Sequence, residues 1–552
     1  MKPETGYTFD PPFYPIVYVR GYAMRREDIE ETFYDSYYGF ATSAVYKKQT
    51  DAGNGYLVPD LFEGQLIRFM KSRFESADDK PYGYSDVINS DSSYFEHLNP
   101  SRSIWISRFY DVDYIQDKVR SIENHALELT DLIVNKIPKQ LVALGMNPEV
   151  VKTDYKVILI AHSMGGLVCR TLIQNSLPNF TVKEGQDAPI VPLEHIKNPE
   201  LLIHRFVTIG TPHKGIDMGN IPDVLENAIT AAINPYDSNI FKPRRMRQYL
   251  KLTGLKEGAD QDDVKEEDYK FDIHSLGDST FPVKKCLCII GSDYSHYSGV
   301  KYATGSFSDG LVKQDRAYVV SGERPQGNSP YEEKNTAFYA NVHRAHSGFH
   351  GIVNSYETFE NIQRFLFGDL RVRIALDNLK IQTQELADHD YFYDFEFSLT
   401  IRGTGVYLHQ RKQDPCENAI RLKRSQVGGK ELFLHNGFLN SKLCQSKDTG
   451  SHFIMKFSVL EYRTKQGWLW DTQYPSRTIY SESLEVRIKY NKGEIPNYTA
   501  QYSWQSDTDT WNDFDFNPNG DFVINLATNV MLAQKANVTG NIVIRAFDWT
   551  VE

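Results

Sequence analysis

The chain is poor in cysteine. Its 552 residues hold five, Cys169, Cys286, Cys288, Cys416 and Cys444. An odd number at irregular spacing argues against a disulfide framework and against a zinc site. Cys286 and Cys288 lie two apart on a predicted strand, facing the same way, and read as core residues of a reduced protein. No run of about 18 apolar residues occurs, so no membrane-spanning helix is predicted. The first residues, Met1-Lys2-Pro3-Glu4-Thr5-Gly6-Tyr7, lack the apolar stretch of a secretory signal. The expectation is a cytoplasmic protein, with export by a route that needs no cleaved signal left open. Basic charge is also short: 61 Lys and Arg face 72 Asp and Glu, a net charge of -11. That argues against nucleic acid as a main partner, because phosphate binding needs clustered cations. It argues too against adsorption to anionic membranes by charge alone. Internal repeats and low-complexity segments are lacking as well.

What is present is enough chain for two or more domains and an unusual number of aromatics, 34 Tyr and 31 Phe. Residues 14–19 (Tyr-Pro-Ile-Val-Tyr-Val) read as a buried strand that runs into the turn Arg20-Gly21-Tyr22. An aromatic-rich insertion over about 24–100 follows, with helical pieces near 26–40 and 61–74 and a Ser/Asp/Asn-rich loop after 78. Further strands are predicted at 104–106, 157–160, 201–209 and 287–290. A long helix over 112–144 carries Val119, Ile122, Ala126, Leu129, Leu132 and Ile133 at helical spacing. Strands alternating with helices predict an α/β fold, a doubly wound and mostly parallel sheet. The excursion over 214–283 reads as a helical lid, and its acidic run 257–268 as a solvated face. A helix over 358–367 closes this part. Beyond 370 the pattern alternates with period two (Phe395, Phe397, Leu399, Ile401; Leu484, Val486, Ile488), which predicts an all-β sandwich domain over 371–552 after a catalytic domain over 1–370.

The stretch Val157-Ile158-Leu159-Ile160-Ala161-His162-Ser163-Met164-Gly165-Gly166-Leu167-Val168 passes from an apolar run through a small-x-Ser-x-Gly turn into helical spacing. Such an elbow lifts Ser163 into the open and sets the N–H of Met164 at a helix N-terminus, where it can hold an oxyanion. A serine hydroxyl needs a base, and the base needs an acid to fix its tautomer. Downstream, Ser308-Asp309-Gly310-Leu311-Val312 offers Asp309 on a glycine turn. Asp293, directly after a strand, is the rival acid. For the base, the stretch 341–351 holds His343, His346 and His350. His346 begins the loop between the last strand and the last helix, where the base is expected; His350 is the alternate. A second oxyanion donor is expected from the N–H of Tyr22.

These residues resemble the lipase and serine-esterase branch of the α/β-hydrolase superfamily. The likeness rests on Ala161-His162-Ser163-Met164-Gly165-Gly166, Gly210-Thr211-Pro212-His213-Lys214-Gly215, Asp309-Gly310-Leu311-Val312 and His346-Ser347-Gly348. The chain is similar in the same way to GPI-inositol-deacylase-like proteins and bacterial lipases, over about residues 14–368. One departure is Arg20-Gly21, where these lipases commonly carry His-Gly. The resemblance implies hydrolysis of carboxylic esters through an acyl-enzyme on Ser163, with no metal or organic cofactor. The inserted lid and the aromatics Tyr22, Phe33, Tyr34, Tyr37, Tyr38 and Phe40 suit a lipid or phospholipid ester and transient contact with a lipid surface, although the aromatics equally suit a core. A soluble-ester or amide hydrolase would keep the same triad. The competing class is a catalytically silent binding module, with the β domain as a surface for a protein partner.

Overall fold

The computed structural model describes residues 5–21, 64–71, 83–86, 99–107, 120–182, 184–185, 187–216, 238–257, 259, 264–296, 307–327, 329–347, 350–383, 386, 389–443, 450–465, 472–473, 475–491, 497–507, 510–516, 520–527 and 536–550, together with a hairpin of Lys47–Thr50 and Leu57–Asp60. Contacts divide the chain into two units. One is Met1–Tyr339 with Arg344–Phe359; the other is Ala340–His343 with Glu360–Glu552.

The first unit is built on β1 (Ile16–Val19), β2 (Ser85–Asp86), β3 (Ser103–Ser107), β4 (Val157–His162), β5 (Ile203–Ile209) and β6 (Cys286–Gly291), with the first two residues of β7 (Phe338–Val342). Their order across the sheet is β2-β3-β1-β4-β5-β6-β7. The first six pair in parallel, Ile16 to Val19 lying between Ile104 to Ser107 on one side and Ile158 to Ala161 on the other. The order reverses at β1 and β4, the point where an open α/β sheet parts its loops into a crevice. Strands such as Ile16-Val17-Tyr18-Val19 are apolar throughout because both faces are covered. On one face Val17, Val19, Leu159 and Ala161 pack with Ile122, Ala126, Leu129, Leu167 and Ile173. On the other, the Tyr18 hydroxyl donates to Gln65 of helix α1 (Gln65–Lys71), whose Phe69 meets Phe359 edge-on.

The predicted long helix is present where the chain is described, but in three pieces: α2 (Ile122–Asp131), a π-turn at Leu132–Lys136 and α3 (Ile137–Ala143). The cause is Pro138, which has no N–H for the helical ladder and whose ring crowds the preceding turn. Ser121 caps the start, its hydroxyl accepting from the Asn124 N–H. Predicted strand 201–209 begins only at Ile203, because Asn198 caps a short helix, Pro199–Leu202. In the excursion after β5, the helix Pro243–Tyr249 is described and residues 217–237 lie outside the described set. Its acidic run is more than a solvated face. Glu266 pairs with Arg247, whose side chain is buried, and with Arg324.

The second unit holds two antiparallel sheets. Five strands run in the order Leu432–Leu439, Leu370–Thr383, Ala536–Asp548, Phe522–Asn525, Asp515–Phe516. The larger sheet runs Tyr407–Arg411, His389–Ile401, Ser451–Lys465, Arg477–Asn491, Asn497–Trp504, Asn512–Asp513. Alternate residues of both (Val372, Ile374, Phe395, Phe397, Phe457, Val486, Ile544) form one shared core, which makes the unit a sandwich. The chain is thus an α/β domain followed by a β domain. No helix among the described residues is long and apolar enough to cross a membrane.

Candidate active site

Ser163 sits between β4 and helix α4 (Met164–Thr171) at φ 50 and ψ -128. A serine with positive φ is strained, and the surroundings hold it there. The Ser163 N–H donates to the Ile209 carbonyl at 2.9 Å, and the Ser163 carbonyl accepts from Gly166 at 3.0 Å. The two elbow glycines are required by close approach. A Cβ on Gly165 would lie 2.4 Å from the Val19 carbonyl oxygen and 2.6 Å from that of Arg20. One on Gly166 would lie 2.2 Å from the Thr211 hydroxyl. Gly165→Ala drives carbon into two backbone carbonyls that cannot rotate away, and is expected to cost about 2–3 kcal/mol, read from the urea midpoint.

The loop after β7 brings His346 to the serine. Its Nε2 is 2.9 Å from Ser163 Oγ, and its Nδ1 is 2.9 Å from Asp309 Oδ2. All three side chains are buried. The other oxygen of Asp309 accepts from the N–H groups of Leu311 and Val312, at 3.0 and 2.7 Å, across the Gly310 turn. The Asp309 carbonyl in turn accepts from the His346 N–H at 2.8 Å. Carboxylate and imidazole are therefore fixed by backbone as well as by each other. Gly210, at φ 55, leaves room for this pair: its Cβ would stand 3.2 Å from both Asp309 Oδ2 and His346 Nδ1. The Met164 N–H is the first of its helix and has no intrahelical acceptor. Tyr22, and with it Phe33, Tyr34, Tyr37, Tyr38 and Phe40, lies outside the described residues; Gly21 is described.

The alternates do not join this chain of hydrogen bonds. Asp293 turns to its own loop, accepting at Oδ1 from the N–H and hydroxyl of Ser295 and pairing at Oδ2 with His296 Nδ1 at 2.6 Å. The His350 ring packs on His296 with centroids 4.4 Å apart, and its carbonyl accepts from the Ala345 N–H.

Three residues that the sequence reading left unassigned support the site. His162, at the end of β4, places Nε2 3.2 Å from the His346 carbonyl. Its ring centroid is 5.0 Å from that of His346. Loss of water around the ring, the nearby His346 and Arg20 push its pKa well below 6.5, against a smaller opposite effect of the bond to His346. Arg170, on α4, is fully buried and donates to the carbonyls of His213, Ile273 and Ser275 and to Gln174. Burial pushes it down to about 10, so it stays charged at neutral pH while tying the elbow helix to two loops. Gly210 is the third. The Arg at helical spacing after the elbow and the Gly closing β5 were the visible signals. Among the described residues no group of three His, Cys, Asp or Glu side chains could hold a metal ion.

No protein-family profile matches the chain. No curated protein matches it either. Among solved structures, the phospholipase PlaB from Legionella pneumophila is similar over 64% of this chain and 78% of its own, at 11% sequence identity and a TM-score of 0.28.

Proposed function

We propose that the chain is a serine hydrolase that cleaves carboxylic esters, with lipid or phospholipid esters as the substrate class. The observation that carries this reading is the unbroken hydrogen-bonded line from Asp309 through His346 to Ser163 on a strained elbow. In the reaction, His346 Nε2 takes the Ser163 proton as Oγ attacks the ester carbonyl. Asp309 holds the Nδ1–H tautomer and stabilises the imidazolium that forms. The oxyanion is held by the Met164 N–H, with that of Tyr22 as the expected second donor. His346 then gives its proton to the leaving alcohol, and water repeats the sequence to release the acid. The lipid class rests on the aromatic-rich insertion after β1 and the excursion after β5.

The test is covalent. A fluorophosphonate probe is expected to label the full chain at one residue, Ser163, and to leave Ser163→Ala unlabelled at unchanged melting temperature. Absence of label on folded wild-type protein sinks the reading. Product analysis with short esters, triglycerides and phospholipids then separates a lipid hydrolase from a soluble-ester one.

A further inference from the structure

His162 touches both loops that the proposed reaction depends on, and no step of that reaction uses it. On one side its Nε2 lies 3.2 Å from the backbone carbonyl of His346. On the other it faces the turn after β1, where a Cβ on Gly21 would stand 2.8 Å from His162 Nδ1 and 2.9 Å from Ser163 Cβ. The ring therefore fills the gap between the turn expected to deliver an oxyanion donor and the loop that delivers the base. Its own residue is the immediate neighbour of the nucleophile.

We propose that His162 is a positioning residue: its Nε2–H, donated to the His346 carbonyl, locks the base loop to the elbow, while its Nδ1 edge backs the Gly21 turn. The inference rests on the hydrolase reading. The tautomer follows from the partners. A carbonyl oxygen only accepts, so Nε2 carries the proton. The ring's depressed pKa then leaves Nδ1 bare. A neutral ring is what the chemistry requires here. With ring centroids 5.0 Å apart, a cation at His162 would oppose the imidazolium that forms on His346 in the transition state. The bond is made to the backbone of His346, so it fixes where the imidazole is rooted without competing for either of its nitrogens. Displacement of a reacting group by about 1 Å can cost about 100-fold in rate, which sets the scale of the effect.

The experiment combines ¹⁵N-histidine NMR with kinetics on a short p-nitrophenyl ester, in the full wild-type chain, His162→Gln and His162→Leu. A ring with protonated Nε2 and bare Nδ1 is expected in the folded wild type at neutral pH and down to about pH 6, and is missing from both variants. His162→Leu is expected to lower kcat about 10- to 100-fold with KM little changed. Gln, whose amide can donate to the same carbonyl, is expected to recover most of that loss. A His162 ring protonated on both nitrogens at neutral pH, a Leu variant with wild-type kcat, or a Gln variant as slow as Leu overturns the role. A wild-type chain that neither turns over ester nor takes the fluorophosphonate overturns the hydrolase reading itself, and the positioning role with it.

Discussion

His346→Ala is expected to lower kcat on a short ester by about 10⁴- to 10⁶-fold, while His350→Ala stays close to wild type. The two histidines are four residues apart on one loop, His346 at the position expected of the base and His350 its alternate, and their surroundings differ. His346 holds Ser163 Oγ at Nε2 and Asp309 at Nδ1, each at 2.9 Å. The His350 ring lies instead against His296, outside that line. Asp309→Asn is expected to cost about 10⁴-fold by stabilising the wrong imidazole tautomer, with the fold intact. Asp293→Asn is expected to leave turnover unchanged, since its carboxylate bonds Ser295 and His296 rather than His346. Steady-state kinetics read these four variants, and melting curves separate lost chemistry from lost folding. Equal loss in His350→Ala, or an active His346→Ala, would reject the assignment of the base.

The elbow was legible because its constraint is local. A strand, a serine and two glycines must follow in that order for the backbone to bend so tightly, and apolar periodicity on both sides gives the direction of each element. The parallel sheet was legible for a similar reason: residues such as Ile16 to Val19 and Val157 to Ala161 are apolar on both faces, which only a covered sheet explains. What the sequence withheld is relational. Asp293 and Asp309 both follow strand-like or turn-like stretches; only three dimensions turn one toward His296 and the other toward His346. Gly210 reads as an ordinary turn glycine until its Cβ position is seen against the Asp309–His346 pair. Glu266 reads as solvated acid until the buried Arg247 reaches it from a helix 19 residues earlier. The π-turn ahead of Pro138 was readable in principle, since proline in the interior of a helical pattern removes a ladder hydrogen bond and crowds the turn before it.

Stability is expected to collapse on mild acidification, from pH 6.5 towards 4, well before most carboxylates protonate. The cause is a set of histidines buried in the neutral form. In the first unit His213 and His274 are pushed well below 6.5 by burial and by nearby cations, and His125 down to about 4 by burial and Arg120. Neither ring nitrogen of His274 has a hydrogen-bond partner among the described residues, so nothing there favours the charged ring. In the second unit His435 is pushed down to about 3 by burial and Arg411. His409, stacked on it with centroids 3.9 Å apart, is lowered by burial, His435 and Arg411. The sign follows from linkage. A folded-state pKa below the unfolded value of about 6.5 means the unfolded chain binds more protons, so the contribution is whole above pH 6.5 and is lost as pH falls toward the folded pKa. Each such histidine removes about 1.4 kcal/mol per pH unit in that window. With His162 and His204, lowered in the same way, the five in the first unit make about 7 kcal/mol per pH unit, and the two in the second about 3, against a typical total of about 5–15. Urea midpoints measured from pH 7.5 to 4.5 should fall with these slopes. His435→Leu should remove one proton's worth of slope from the transition of the β unit and leave that of the α/β unit alone. A pH-independent midpoint down to 5 would mean that these rings are protonated or solvated in the folded chain, and with them His162, whose neutrality is set by the same loss of water.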